Sequence, residues 1–148
     1  MKRNFEREKK ELFDKIGKTY NMVLSASYEG NVSSRMVTVI LFNEKFYITS
    51  MGSEKLEQIE KNPNIALCAD TIQIKGTGKI LGYASDEKNK EIMTEYKNIL
   101  PASFERFASK PEAVLVEFVL IKCRWWKDIQ VMDGVIIDFE AKRAVSRV

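Results

Sequence analysis

Histidine is absent from the 148 residues of the chain. Imidazole is the usual general base of Ser-His-Asp and Cys-His catalysis, and it is a common protein ligand of metals and of haem iron. Its absence therefore excludes both kinds of nucleophilic catalysis and every site in which a histidine binds a metal or haem.

Cysteine is scarce, and the two cysteines, Cys68 and Cys123, lie in apolar, strand-like segments. This context predicts two reduced thiols in the core of a cytoplasmic protein, with a disulfide or a reactive thiol as the less favoured alternative. Two cysteines far apart in the sequence do not supply the ligands of a structural zinc site.

Long apolar runs and a strong charge of one sign are also lacking. No run is long enough to span a membrane, and Met1 to Lys10 mixes charges of both signs, unlike a secretory signal. The 24 Lys and Arg residues nearly balance the 21 Asp and Glu residues, giving a formal net charge of +3. Such a balance does not indicate nucleic acid binding. We therefore expect a cytoplasmic protein that binds neither membranes nor nucleic acid.

The spacing of apolar residues predicts more strands than helices. Helices are predicted for Phe5 to Lys18, Ser53 to about Lys61 and Ser85 to Leu100, and strands for Asn21 to Tyr28, Ser33 to Phe42, Lys45 to Ser50, Ile65 to Asp70, Ile72 to Ile80, Ala113 to about Trp126 and Val135 to Glu140. Many strands on short connections, with helices outside, favour a small antiparallel barrel over a doubly wound parallel sheet. Because no linker or repeat interrupts the pattern, residues 1–148 are predicted to form a single domain, mainly β with flanking helices.

The stretch from Ser33 to Lys55 brings together groups that suit a phosphate. Arg35 lies on a strand that turns at Asn43-Glu44 into a second strand, which ends at a helix for which Ser53 is a suitable N-cap. The helix N-terminus offers free backbone N–H groups, while Arg35 and Lys55 add a planar donor fork and a point charge. This combination predicts a binding site for a phosphate dianion, the alternative being that the two cations are ordinary surface charges.

The same stretch resembles the pyridoxamine 5'-phosphate oxidase-like, FMN-binding split-barrel family. The resemblance rests on Ser34-Arg35-Met36-Val37, Phe46-Tyr47-Ile48-Thr49-Ser50, Gly52-Ser53-Glu54-Lys55, Gln58-Ile59-Glu60-Lys61-Asn62-Pro63 and Ile72-Gln73-Ile74-Lys75-Gly76, in that order. It implies a small antiparallel split β-barrel, usually a homodimer with FMN at the subunit interface.

The resemblance also implies roles for individual residues. It assigns the FMN phosphate to Arg35, Ser53 and Lys55, the flavin ring to Met36 and Val37, and the ribityl-phosphate region to Ile48, Thr49 and Ser50. We therefore expect an FMN-binding, flavin-dependent oxidoreductase that acts on a small molecule. The alternatives are a non-catalytic flavin-binding or stress-related protein of the same fold, and, third, a protein that binds deazaflavin or haem.

Two departures from the family pattern argue against vitamin B6 oxidation. Glu54 stands where the true oxidases usually carry a second cation, and it would oppose phosphate binding unless it points outward. The chain also ends at Val148 without the substrate-binding Arg-Leu and closing Pro signature of those enzymes.

Trp125 and Trp126 form the other conspicuous pair in the sequence. Neighbouring residues of a strand face opposite ways, so we expect one indole in the barrel and the other at a subunit interface. Stacking on a flavin or substrate ring is the alternative.

Overall fold

The computed structural model describes residues 1–147, except for the side chain of Ser53. Its strands are β1 (Lys2–Arg3), β2 (Thr19–Tyr28), β3 (Asn31–Phe42), β4 (Lys45–Ser50), β5 (Asn64–Ala69), β6 (Ile72–Tyr83), β7 (Val114–Asp128), β8 (Asp133–Asp138) and β9 (Arg143–Ser146). Its helices are α1 (Phe5–Ile16), α2 (Ser53–Lys61), α3 (Lys90–Ile99) and the short α4 (Pro101–Ser103), with a 3₁₀ turn at Glu87–Asn89 and a π-helical turn at Phe104–Ala108.

Six antiparallel strands close into a barrel. The strand order is β7-β4-β3-β2-β5-β6, and β6 pairs again with β7 to complete the ring. β8, β9 and β1 extend the sheet beyond the barrel from β7, whose second half pairs with β8. This architecture confirms the predicted split barrel, mainly β with flanking helices.

Two tight turns fix the register of β2, β3 and β4. Glu29-Gly30 and Asn43-Glu44 all have positive φ angles, as two-residue hairpins of the type I′ class require. The turn predicted at Asn43-Glu44 is therefore confirmed, although neither of its residues is a glycine. Both hairpins place Arg35 and the end of β4 on neighbouring strands of one sheet.

Two glycines of β6 lie where the barrel wall is most crowded. A Cβ at Gly76 would lie 2.3 Å from the carbonyl oxygen of Val119, and one at Gly78 would lie 2.7 Å from Ile65. The pairing of β6 with β7 also shifts register between Lys75 and Gly76. Glycine within a strand is typical of a bulge or of a close backbone approach, and β6 has both.

The core has two parts, one on each side of the barrel wall. Side chains of the first fill the barrel and include Leu67, Ile74 and Phe118. The second lies outside the barrel, where α3 and the π-helical turn cover Ile40, Tyr47 and Leu115. Consecutive residues of β4 are therefore buried on both faces.

Helix α1 packs on the barrel through one apolar stripe. Leu12 and Ile16 are buried in the barrel core, while Phe5 and Phe13 contact the ring of Phe139. The helix ends at Ile16 rather than at Lys18, because Gly17 takes a positive φ and donates its N–H to the Phe13 carbonyl.

The helix predicted from Ser85 begins later than expected, at Lys90. The buried amide of Asn89 donates to the carbonyls of Leu81 and Tyr83 at 3.0 and 2.8 Å. These bonds tie the 3₁₀ turn to the end of β6, so the α-helix starts only after Asn89.

The prediction of two core thiols is wrong for one of them. Cys123 is buried, and burial raises the pKa of its thiol to about 12. Cys68 is exposed, because its neighbours Leu67 and Ala69 take the other face of β5.

The tryptophan pair follows the alternation of β7. Trp125 is buried in the barrel core, whereas Trp126 is half-buried outside it, with the guanidinium of Arg147 4.6 Å from its ring centroid. The expectation of an indole at a subunit interface for Trp126 stays a prediction.

None of the helices in residues 1–147 has both the length and the apolar character that a membrane-spanning segment needs.

Candidate functional site

A pocket of about 460 Å³ lies where β3, β4 and the N-terminus of α2 meet. We call it the β3–α2 pocket. Its size falls within the range of small-molecule sites in proteins. It is lined by Arg35, Met36, Val37, Thr38, Thr49, Ser50, Met51, Gly52, Lys55, Tyr96, Ser103, Phe107 and Ala113.

Lys55 is the most unusual residue of this pocket, because it is only 4% exposed. Among the residues that the structure describes, no carboxylate lies within 4.0 Å of its ammonium group. Burial, together with the charge of Arg35, lowers the pKa of Lys55 to about 8. A bound anion would relieve both effects, because it supplies the missing counter-charge.

Arg35 reaches the same pocket from β3, and its side chain lies against the turn that leads into α2. A Cβ added to Gly52 would lie 3.2 Å from the Nη1 atom of Arg35, tighter than most contacts of this kind. Gly52 therefore leaves room for the guanidinium beside the helix N-terminus.

The N-cap of α2 lies one residue earlier than predicted. Gly52 is the N-cap, and Ser53 is the first residue of the helix. The N–H of Gly52 donates to the hydroxyl of Ser50 at 3.3 Å. The side chain of Ser53 lies outside the described part of the structure, so its assignment to a phosphate stays a prediction.

The structure brings six of the eight predicted site residues to one pocket: Arg35, Met36, Val37, Thr49, Ser50 and Lys55. Ile48 is not among the lining residues. Its side chain is 2% exposed and lies in the barrel core, because β4 alternates and Thr49 takes the pocket face. The assignment of Ile48 to the ribityl-phosphate region stays a prediction, and its side chain lies on the barrel side of β4.

Glu54 points away from the β3–α2 pocket. It is exposed and borders a separate surface cleft with Tyr28 and Gln58. The neighbouring charge that acts on the pKa of Lys55 is that of Arg35. The Glu54 carboxylate therefore points outward, the orientation in which it does not oppose phosphate binding by Arg35 and Lys55.

Four pocket residues, Tyr96, Ser103, Phe107 and Ala113, come from the segment between β6 and β7, which the sequence did not connect with the site. The hydroxyls of Tyr96 and Ser103 lie 2.8 Å apart, and Thr49 donates to Tyr96 over a longer distance of 3.4 Å. Phe107, from the π-helical turn, adds an exposed ring. A signal was present, since Tyr96 places a hydroxyl on the apolar face of its helix.

The site therefore has three chemically different parts. Two cations and a helix N-terminus lie at one end, and the hydroxyls of Thr49, Ser50, Tyr96 and Ser103 lie along the wall. The exposed apolar side chains of Met36, Met51 and Phe107 lie at the opening. Such a pocket suits a ligand with a phosphate, a hydroxylated chain and a flat apolar group.

Comparison with solved structures identifies the fold. A protein related to general stress protein 26 (pyridoxinephosphate oxidase family) from Clostridium acetobutylicum matches with a TM-score of 0.63 and 17% identity, over 93% of this chain and 96% of that one. A FAD-binding protein from Mesorhizobium loti matches with a TM-score of 0.55 and 12% identity, over 72% and 83%.

The heme storage protein HutZ from Vibrio cholerae also matches, with a TM-score of 0.60 and 13% identity, over 80% of this chain and 91% of that one. Proteins with this fold thus include a flavin-binding and a heme-storing member. No protein-family model matches the sequence, and no curated protein matches it either.

Proposed function

Because the chain has the split-barrel fold of pyridoxamine 5'-phosphate oxidase-like proteins, we propose that it binds FMN in the β3–α2 pocket. We further propose that it works as a flavin-dependent oxidoreductase on a small molecule. The observation that carries the proposal is the buried ammonium of Lys55, which has no carboxylate partner among the described residues and lies beside Arg35 and a helix N-terminus.

The residues of the pocket match the parts of FMN. Lys55, Arg35 and the free N–H groups at the start of α2 suit the phosphate. Thr49 and Ser50 suit the hydroxyls of the ribityl chain. Met36 and Val37, in the middle of β3, line the pocket where the ring would lie.

Bound FMN supplies the hydride and electron transfer, so the protein needs no catalytic side chain of its own for that step. The chain binds the phosphate with fixed cations and holds the ring against β3. Tyr96, Ser103 and Phe107 also line the pocket, so this segment would contact bound FMN or its substrate.

The opening of the pocket supports a homodimer as the working form. Met36, Met51 and Phe107 are 68%, 44% and 53% exposed, and together they surround the opening. A patch of this kind is typical of a subunit interface. Light scattering at micromolar concentration is expected to show twice the chain mass of 17.1 kDa, and a monomer in the presence of FMN would contradict the dimer.

The decisive experiment titrates FMN and riboflavin, which share the ring and ribityl chain, against wild type and Lys55→Met. Hydrogen bonds to charged groups contribute about 1.5–3 kcal/mol. Lys55→Met is therefore expected to weaken the binding of FMN by roughly ten- to a hundredfold and to leave the binding of riboflavin unchanged.

Lys61→Met is the matched control, since Lys61 lies on the same helix but is exposed and pairs with Glu57. It should leave the affinity for both flavins unchanged. Equal losses of FMN and riboflavin in Lys55→Met would mean that Lys55 does not bind the phosphate. NADPH or NADH is then added without oxygen. Loss of the flavin absorbance would indicate a reductase, and unchanged absorbance would indicate a flavin carrier.

Haem is the second candidate ligand, since a protein of this fold stores heme. The chain has no histidine, so an iron ligand would have to be a thiolate, thioether or phenolate. Binding of hemin that outcompetes FMN and is insensitive to Lys55→Met would replace the flavin proposal.

A further inference from the structure

A second cavity, of about 630 Å³, borders α3 and shares no lining residue with the β3–α2 pocket. We call it the α3 pocket. Its apolar lining includes Ala84, Met93, Phe104 and Ala108. Ala84, Met93 and Ala108 are buried members of the outer core, so the cavity reaches into the packed part of the protein.

The wall between the two pockets is a pair of aromatic rings. Tyr96 and Phe104 lie with their centroids 6.4 Å apart. Tyr96 lines the β3–α2 pocket and Phe104 lines the α3 pocket. The cavities are therefore adjacent but separate, and a ligand of one does not contact the ligand of the other.

The charges around the α3 pocket leave one cation without a partner. Glu87 lies 3.9 Å from Lys90, and Asp86 is turned toward Gly82, where the ammonium of Lys88 also lies. Lys97 has no carboxylate within 4.0 Å among the described residues, and its ammonium lies 5.4 Å from the ring centroid of Phe104. An apolar cavity with one unpaired ammonium at its rim suits an amphipathic anion.

We propose that the α3 pocket is a second ligand site, which binds a small organic acid with an apolar body and a single carboxylate. The apolar body lies against Met93, Ala84 and Ala108, and the carboxylate pairs with Lys97. This site does not depend on the proposed flavin function, because none of its residues lines the β3–α2 pocket.

The methionines of the chain make the test specific. Met93 lines the α3 pocket, whereas Met36 and Met51 line the β3–α2 pocket. NMR of protein labelled with ¹³C at the methionine methyl groups, with each signal assigned by a Met→Leu substitution, therefore reports each pocket separately. The probes are 3-phenylpropionate and the neutral 3-phenylpropanol, which share the apolar body.

With 3-phenylpropionate, the Met93 methyl signal is expected to shift and saturate, while the signals of Met36 and Met51 stay in place. The alcohol should bind more weakly. Exposed ion pairs contribute about 0.2–1 kcal/mol. Lys97→Met should therefore weaken the binding of 3-phenylpropionate by up to about fivefold and leave the binding of 3-phenylpropanol unchanged. Lys61→Met is the control and should change neither.

A second variant tests the cavity itself. Thr94 is exposed and lines the α3 pocket, so Thr94→Phe places a ring in the cavity without disturbing the core. It should abolish the response of Met93 to both probes and leave FMN binding unchanged. The proposal is overturned if Met93 does not respond at millimolar probe, if Met36 and Met51 respond equally, or if Lys97→Met changes both probes alike.

Discussion

The buried Lys55 and the half-buried Lys127 lie in opposite electrostatic surroundings. Lys127, on β7, meets the buried carboxylate of Glu8 at 2.5 Å and also pairs with Glu11. Burial alone would lower the pKa of Lys127, but the two carboxylates outweigh it and raise the pKa. Lys55 has no such partner among the described residues, and its pKa falls to about 8.

We interpret this difference as that between a structural ion pair, at Lys127, and a proposed binding site, at Lys55. Glu8 is fully buried, and Arg3 and Arg7 also lie 3.8 Å from it, so the group around Lys127 carries its own counter-charges. These contacts fasten α1 and β1 to the barrel. At Lys55 a cation is buried with no carboxylate partner among the described residues, which is why we propose that a ligand supplies the compensating anion.

The largest expected effect comes from breaking the structural pair. Lys127→Met leaves Glu8 buried without its nearest cation, and breaking a buried pair typically costs about 3–5 kcal/mol of stability. We expect a loss near about 3 kcal/mol, the lower end of that range, because Arg3 and Arg7 remain nearby. Urea unfolding at pH 7 measures it.

FMN affinity is expected to be unchanged in Lys127→Met, whereas Lys55→Met is expected to lose FMN affinity. Lys61→Met should change the stability by less than about 0.5 kcal/mol, as is usual for surface substitutions. A loss below about 1 kcal/mol in Lys127→Met would show that the pair does not hold α1 in place.

A pH titration sharpens the comparison with a smaller effect. The ligand-free protein loses the charge of Lys55 as the pH rises through about 8, whereas a bound phosphate keeps the ammonium protonated to higher pH. FMN affinity should therefore be constant below pH 8 and fall above it, by about tenfold from pH 7 to pH 9.

Riboflavin, which has no phosphate, should show no such fall. Flavin fluorescence measured from pH 7 to pH 9 gives both affinities, and Lys55→Met should remove the pH dependence of FMN. A fall that persists in Lys55→Met would assign the titration to another group.

The smallest expected effect comes from Gly52→Ala. The new Cβ would lie 3.2 Å from the Nη1 atom of Arg35, so the guanidinium has to move by a few tenths of an ångström. We expect FMN to bind roughly two- to fivefold more weakly, which corresponds to less than one hydrogen bond to a charged group.

A double-mutant cycle with Arg35→Ala isolates that contact. If Gly52 acts by leaving room for Arg35, the effect of Gly52→Ala on FMN disappears in the Arg35→Ala background. An equal loss of FMN affinity in both backgrounds would mean that Gly52→Ala acts on the helix N-terminus and not through Arg35.

Local signals predicted much of this fold. The alternation in β3 and the two polar residues at Asn43-Glu44 were enough to place the hairpin, and Asn62-Pro63 marked the end of α2. The pairing of β1 with β9 joins two short strands more than 130 residues apart, such as Arg3 with Ala144. No local pattern contains that information.

The same distinction between local patterns and long-range contacts applies to the candidate site. Arg35 and Lys55 were predictable because they lie in one short, ordered stretch of strand, turn and helix. Tyr96 carried only the signal of a hydroxyl on an apolar helix face, and Ser103 carried none, since only tertiary packing brings the Tyr96 hydroxyl to Thr49 and the Ser103 hydroxyl to Tyr96. The resemblance named the segment that contains Ile48 and Thr49, whereas the alternation of β4 decides that the Thr49 side chain faces the pocket and the Ile48 side chain faces the barrel core.

The closure of the barrel by β7 has a consequence for synthesis of the chain. β7 begins at Val114, and it is the partner of both β4 and β6. Until this strand has left the ribosome, β4 and β6 present unpaired edges that other chains can join. The groups proposed to bind FMN lie between residues 35 and 55, so they emerge from the ribosome long before the barrel can close.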